Sequence, residues 1–253
     1  MAKIDYLIDY LVKEDDENSY FVKRLDNKFD ILRAISNKRA PKEISSEFLK
    51  VQDEYLKKVN ESRGIKDIKN IPFDKGIISI YKGDITLLNV DAIVNAGNNR
   101  MLGCFTPMHN CIDNVIHTYS GIELRLECNN ILKGKTVDNG NCIITKGYNL
   151  PCKYVIHTVG PCIYGMVSNQ DKEELKNRYL NSMELAKKNN IRTIAFPTIS
   201  TGVFNFPKEL ACKIAISTVN DYLKENGKHF DKIIFCVYDN TQLEIYKNEI
   251  VNI

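Results

Sequence analysis

Three side chains with an affinity for metal ions stand close together in "GCFTPMHNCIDNVIH", from Gly103 to His117: Cys104, His109 and Cys111. The chain has only four histidines and eight cysteines. Two thiolates and one imidazole form a soft-to-borderline donor set suited to tetrahedral zinc. Structural zinc sites have four protein ligands, whereas catalytic ones have three and an open position for water or a substrate oxygen. Cys104-x4-His109-x-Cys111 supplies three. A distant fourth, from Cys128, Cys142, Cys152 or Cys162, stays open. So does a cluster without metal, because Cys is among the most often buried residues and a loop His more commonly hydrogen-bonds than ligates. Spacing alone does not separate these readings.

A helix must follow this triplet. Ile112, Val115, Ile116 and Tyr119 share one face, with Gly121 past the end. Asp113 and His117, four apart, share another. Cys111 begins the helix, where the dipole favours a thiolate.

Other candidates lie at strand ends, where ligands bind in open α/β sheets. Asp84 follows "IISIYKG". Asn95 and Asn98 follow the run ending at Val94. "PTISTGVFNFP", Pro197 to Pro207, follows the run ending at Phe196 and is rich in small residues, Ser200, Thr201 and Gly202. It opens onto a helix near Pro207. Such a loop can cradle a phosphate with main-chain N–H groups and a helix dipole, and Phe204 could cover a sugar or base. A plain strand-to-helix connection is the alternative.

The elements that carry these ends alternate. Strands are expected over residues 77–83, 91–97, 141–147, 153–160, 192–200 and 232–238. Helices are expected over 111–120, 123–132, 172–189, 207–226 and 241–251. Several strands are apolar at nearly every position, as in strands covered on both faces. The alternation gives an α/β layered domain with a mostly parallel, mixed sheet. Residues 1 to about 70 read as helices. Ile4, Leu7, Ile8 and Leu11 keep helical spacing, as do Phe21, Leu25, Phe29, Leu32 and Ile35, then Ile44, Phe48, Val51, Tyr55 and Val59. Pro41 suits the first turn of the third helix. This reads as a small bundle packed on the main domain; a docking surface for a partner is the alternative. "NESRGIKDIKNIPFDKG" is the junction. The remaining cysteines, with Cys212 and Cys236, read as core; His117 and His157 read as structural.

With 253 residues, 43% hydrophobic, there is material for one large domain with an extension. The net charge of +3 is small and the basic residues are interleaved with acids, which argues against nucleic acid. The acids in "MAKIDYLIDYLVKEDDE" exclude a signal peptide or membrane span there, and no later apolar run is long enough to cross a bilayer. A cytoplasmic protein with reduced thiols is expected.

The ordered motifs "GDITLLNVDAIVNAGN", "LGC…CIDNVIH…G", "YVIHTVGP" and "PTISTGVFNFP" resemble those of macrodomains, which bind ADP-ribose. The resemblance covers roughly Gly76 to Val251. It implies a three-layer α/β/α macrodomain with a central mixed sheet over 73–253, preceded by a helical extension over 1–72. The insertion "GCFTPMHNC" together with that extension resembles the zinc-containing macrodomain ADP-ribosylhydrolases of bacterial operons that also encode a sirtuin-type ADP-ribosyltransferase. The resemblance implies that Asp84 binds the adenine amino group with the backbone of Ile85 nearby. It implies that Asn95 contacts the distal ribose, that Asn98 and Gly103 line the pocket, and that Ser200, Thr201, Gly202, Val203 and Phe204 wrap the diphosphate. Asp113 stands where catalytic macrodomains carry an acid. Gly97 stands where the family usually has Ala, and Asn205 where Gly is frequent.

The expected activity is zinc-dependent hydrolysis of ADP-ribose from a protein side chain, an Asp or Glu ester. Zinc on Cys104, His109 and Cys111 would be the main actor beside Asn95, with Asp113 as helper or base. The resemblance implies as substrate a lipoyl carrier of the glycine-cleavage H type, and a monomer is expected. A non-catalytic reader of ADP-ribosylated proteins and an O-acetyl-ADP-ribose deacetylase are the alternatives.

Overall fold

A computed structural model describes residues 2–137 and 141–253. The chain opens with four helices, α1 (Lys3–Glu14), α2 (Ser19–Arg24), α3 (Lys28–Lys38) and α4 (Ser46–Ser62). Strands β1 (Lys66–Asp67), β2 (Ile78–Lys82), β3 (Leu88–Asn89) and β4 (Ala92–Ala96) follow. Then come α5 (Ile112–Ser120), α6 (Ile122–Leu132), β5 (Ile143–Lys146), β6 (Tyr154–Thr158) and α7 (Asn169–Lys188). The chain finishes with β7 (Thr193–Phe196), α8 (Lys208–Asn226), β8 (Lys232–Val237) and α9 (Asn240–Ile250).

The main sheet has the order β2-β8-β7-β4-β6-β5. All neighbours are parallel except β5, which runs antiparallel to β6 at one edge. Side chains alternate faces along each strand. Ile194, Phe196, Ile233, Phe235 and Val237 enter one core with Leu175, Tyr179 and Met183 of α7, Ala215 and Val219 of α8, and Tyr246 of α9. Ala195, Ile234 and Cys236 enter the other with Ile116 of α5 and Leu124 of α6. These are the expected three layers around a mixed sheet. In β4, Ile93 faces the α5 side and Val94 the opposite side. By the same alternation Asn95 faces α5. The parallel strands all end along one edge, which is where the candidate residues gather.

The opening helices bury Leu7, Leu11, Ile31, Leu32, Ile35 and Phe48 together, with Ile122 of α6 closing the cluster. Two expectations are corrected here. The run from Phe21 to Ile35 is not one helix: Leu25 is extended, and the Asn27 side chain accepts the N–H groups of Phe29 and Asp30 at 2.8 and 3.3 Å. An Asn in that place starts a new helix more readily than it continues an old one. Nor does Pro41 open the third apolar run. The helix begins at Ser46, capped by Ser45, whose Oγ accepts the N–H of Phe48 at 3.2 Å. Arg39 holds the carbonyls of Lys42 and Glu43 at 2.8 and 3.0 Å, which keeps the Pro41 segment out of the helix.

The junction is more structured than a linker. Its first residues form the last turn of α4, and β1 pairs in parallel with β3. Ile71 lies in the core on the α5 side, so the chain has joined the sheet layers before residue 72. Cys128, Cys152, Cys212 and Cys236 are buried as expected, but Cys142 and Cys162 are only half-buried because they sit at the margins of the core rather than inside it. Among the described residues no helix is long and apolar enough to cross a membrane.

Candidate functional site

The structure brings Cys104, His109 and Cys111 together: one ligand atom from each lies within 4.8 Å of the others. Cys104 Sγ is 3.5 Å from His109 Nδ1. Tetrahedral zinc, with Zn–S near 2.3 Å and Zn–N near 2.05 Å, sets its S and N ligands about 3.5 Å apart. Cys111 is the N-cap of α5 rather than its first helical residue, and its Sγ accepts the N–H of Asn114 at 3.4 Å. This N–H favours the thiolate, as expected of a helix start, but burial outweighs it. Burial, with smaller pushes from the neighbouring Cys104 and Asp113, raises the Cys111 thiol to about 12. Two sulfurs held side by side resist joint ionisation unless a cation lies between them. The donor set and the spacing fit zinc, which would hold both sulfurs as thiolates.

Asp113, in the first turn of α5, is 4% exposed. Its Oδ1 accepts from Asn95 Nδ2 at 2.8 Å, and its Oδ2 from Asn98 Nδ2 at 3.3 Å. Burial raises its pKa to about 6, with Asn95 and the Arg125 charge opposing. Asn98 Nδ2 also donates to the carbonyl of Gly103 at 3.2 Å, and Asn98 Oδ1 accepts from Arg100 N–H. Asn98 therefore braces the start of the Cys/His loop against Asp113. Gly103 has φ 81, and a Cβ there would fall 2.8 Å from the His117 ring. A Cβ on Gly97 would stand 3.1 Å from Asp113 Oδ1, so this departure from Ala leaves the carboxylate more room.

Beneath this pair lies a contact that the motifs did not announce. Asn95 and His157 are register partners on β4 and β6, and Asn95 Nδ2 meets His157 Nδ1 at 3.2 Å. Since Nδ1 accepts, the ring proton sits on Nε2, which faces Thr145 Oγ1 at 2.9 Å. Burial lowers the His157 pKa to about 3, keeping the ring neutral. Asn95 Oδ1 is buried and takes no partner among the described residues. His157 thus orients a candidate site residue, and its place opposite Asn95 near the strand ends was the available signal. His117, Cys128 and His157 also lie close enough to suggest a second metal cluster. Asn95 already occupies the one lone pair of neutral His157, so that group does not make a ligand set.

Asp84 and Ile85 lie apart from the triplet, after β2. Asp84 Oδ1 accepts from the Thr86 N–H and hydroxyl at 2.8 and 2.6 Å. Its Oδ2 is met by Arg63 Nη2 at 2.5 Å. Arg63, just past α4, also stacks on Tyr119, 3.4 Å from the ring centre. The third group, Ser200 to Phe204, forms a tight loop with Ser200 at φ 65. Phe206 N–H donates to Ser200 O, Asn205 N–H to Gly202 O, and Ile163 N–H to Phe204 O, at 3.0, 3.0 and 2.9 Å. Among the described residues the N–H groups of Gly202, Val203 and Phe204 meet no protein acceptor, as an anion cradle requires. The N-terminal helices reach the site through Arg33, Asn37 and Arg63, none of which carries a motif.

Residues 94–215 match the Macro domain family model. The protein-ADP-ribose hydrolase of Staphylococcus aureus (strain MSSA476) is 41% identical over 253 residues, spanning 97% of this chain and 94% of its own. The human ADP-ribose glycohydrolase MACROD2 is 47% identical over 172 residues, 68% of this chain and 39% of that longer one. Among solved structures, a Trypanosoma brucei macrodomain in complex with ADP superposes with a TM-score of 0.66 at 30% identity, covering 88% of this chain and 96% of that one. With a relative of that likeness running nearly end to end, the chain belongs to the macro domain family.

Proposed function

We propose that this protein hydrolyses ADP-ribose from modified protein side chains, with zinc held by Cys104, His109 and Cys111. The observation that carries the reading is the convergence of those three donors at the start of the helix that bears Asp113, itself bonded to Asn95. The names of the Staphylococcus aureus and human relatives support ADP-ribose removal, and the ADP complex of the Trypanosoma brucei macrodomain supports a nucleotide pocket.

Each residue has a part that its surroundings favour. The free amides of Gly202 to Phe204 hold the diphosphate, and Asp84, steadied by Arg63 and Thr86, receives the adenine amino group near Ile85. Asn95 spends its amide protons on Asp113 and His157, so its Oδ1 accepts a hydroxyl of the distal ribose. Asp113, with a pKa of about 6, is largely ionised at neutral pH yet basic enough to take a proton from water. Bound zinc supplies Lewis acidity at the sugar end of the pocket. Water adds across the bond between the ribose and an Asp or Glu carboxylate, releasing ADP-ribose and the free side chain. Remote binding at adenine and diphosphate holds that bond in place. A lipoyl carrier protein of the glycine-cleavage H type is the proposed substrate, acted on by a cytoplasmic monomer.

The test is Cys104→Ala. Removal of ADP-ribose from a modified carrier protein, followed on a gel, should fall by at least a hundredfold, while calorimetry shows free ADP-ribose still bound. Equal losses in both assays would discard a catalytic metal. Undiminished turnover would discard the metal reading altogether.

A further inference from the structure

The segment from Cys104 to Cys111 belongs to no helix or strand, yet three zinc ligands need fixed places in it. Within it the backbone makes one hydrogen bond among the described residues, from His109 N–H to Thr106 O at 3.3 Å. Side chains from outside do the rest. Asn114 Nδ2 donates to the carbonyls of Thr106 and Cys104 at 3.0 and 3.5 Å. Arg33, reaching over from α3, donates from Nη2 to the carbonyl of His109 at 3.0 Å. The same guanidinium grips Asn114 Oδ1 through Nε and Nη2 at 3.2 and 2.9 Å. Asn37, one turn along α3, accepts the N–H of Met108 at 3.2 Å, and Met108 has φ 61, a conformation a non-glycine residue keeps only where its surroundings hold it.

Arg33 is the centre of this arrangement. It touches one ligand's backbone directly and the other loop carbonyls through Asn114. Only a planar fork with several fixed donors spans both acceptors; an ammonium group is a single point. Without Arg33, the remaining partner of Asn114 Oδ1 among the described residues is the Thr118 hydroxyl at 3.4 Å, which also donates to Asn114 O at 2.8 Å. A loop already held before metal arrives surrenders less conformational freedom on binding, which raises affinity.

We infer that Arg33 is a positioning residue for zinc, making the N-terminal helices part of the metal site. This rests on the zinc reading above. Removing partners that orient metal ligands costs about 10- to 100-fold in affinity, and a loss of that size is expected here.

The experiment compares the full chain with its Arg33→Ala, Arg33→Lys, Cys104→Ala and Lys38→Ala variants, measuring zinc affinity by competition with a chromogenic chelator. Arg33→Ala should bind zinc about 10- to 100-fold more weakly, with Arg33→Lys between it and the unaltered chain. ADP-ribose affinity, by calorimetry, should change by less than about threefold in both. Lys38→Ala, on the same helix and facing Glu17, should match the unaltered chain. If Arg33→Ala does not fold, Arg33→Lys, which keeps the charge and most of the stem, carries the test. A merely structural Arg33 would lower thermal stability and leave the zinc affinity of the folded protein unchanged, and that result overturns the proposal. If the unaltered chain takes up no zinc, or Cys104→Ala binds it equally well, the zinc reading falls and this role with it. If those two differ and folded Arg33 variants bind like the unaltered chain, only the positioning role falls.

Discussion

Asn95 and His157 face each other across neighbouring parallel strands, and the Nδ1 lone pair of His157 takes an amide proton of Asn95 at 3.2 Å. The same amide group donates to Asp113 at 2.8 Å. Together these contacts fix which way the amide is turned and leave its oxygen for a ligand. His157→Phe keeps the ring's bulk but removes the acceptor. It should destabilise the fold by about 1–3 kcal/mol, the cost of an unmet buried donor, and slow turnover as Asn95 loses its setting. Urea unfolding and steady-state kinetics check this; a variant unchanged in both would show that the contact orients nothing.

Gly103 allows the chain to pass the His117 ring. Gly103→Ala combines a positive φ of 81 with a Cβ 2.8 Å from a ring atom. Conformational strain of about 1–2 kcal/mol and overpacking of about 1–3 kcal/mol should add to a clear loss of stability. Zinc affinity should fall as well, because the loop must shift to make room. Thermal unfolding with and without chelator measures both, and a variant within about 0.5 kcal/mol of the parent would contradict this.

Arg63 ties α4 to Asp84 and Thr86 at 2.5 and 3.0 Å. Arg63→Ala frees the Asp84 carboxylate from its orienting partner. ADP-ribose affinity should drop about tenfold, or roughly 1.4 kcal/mol, with zinc content unchanged. Calorimetry beside elemental analysis reads the two separately. Unaltered ADP-ribose affinity would remove Asp84 from the adenine site, or Arg63 from any part in steadying it.

A second contact between the opening helices and α6 is sensitive to pH. Burial raises the Glu123 pKa to about 7, helped by the facing carboxylate of Asp53 on α4, while Lys57 and Lys146 oppose it. The folded state therefore holds a proton that the unfolded chain has released between about pH 4.5 and 7. Stability should fall as pH rises through that window and level off above it. Asp53→Asn removes the facing charge, so its advantage over the parent should grow from pH 5 to 7.5. With the pair partly exposed, the gain is on the order of 1 kcal/mol. Urea unfolding at several pH values decides it; a difference that does not vary with pH would exclude the pair as the source.

The layers were legible because their signals are local. Short continuous apolar runs in "TIAF" and "KIIFCV" placed the sheet strands, and helical spacing at Ile112, Val115 and Ile116 placed α5. The Cys104, His109 and Cys111 cluster was legible from its donor chemistry. What stayed hidden depends on long-range contact. Arg33 and Asn114 are 81 positions apart, as are Asn37 and Thr118, and no periodicity relates them. His157 looked structural because its partner lies on another strand. The Phe21 to Ile35 run misled because apolar spacing persists across Asn27, where side-chain capping, not hydrophobicity, decides that the helix restarts.

The final carbonyls of α3 are another case of dependence between layers. Those of Ser36 and Asn37 end on the Arg125 guanidinium of α6 at 3.1 and 3.0 Å, and that of Arg39 does likewise. A helix terminus satisfied by a cation from elsewhere in the molecule has no equal substitute when expressed by itself. The opening seventy-odd residues should therefore melt in one cooperative step with the rest. A shortened chain beginning near β1 would uncover Arg125, Ile122 and the face of Tyr119 together, and would be prone to aggregate.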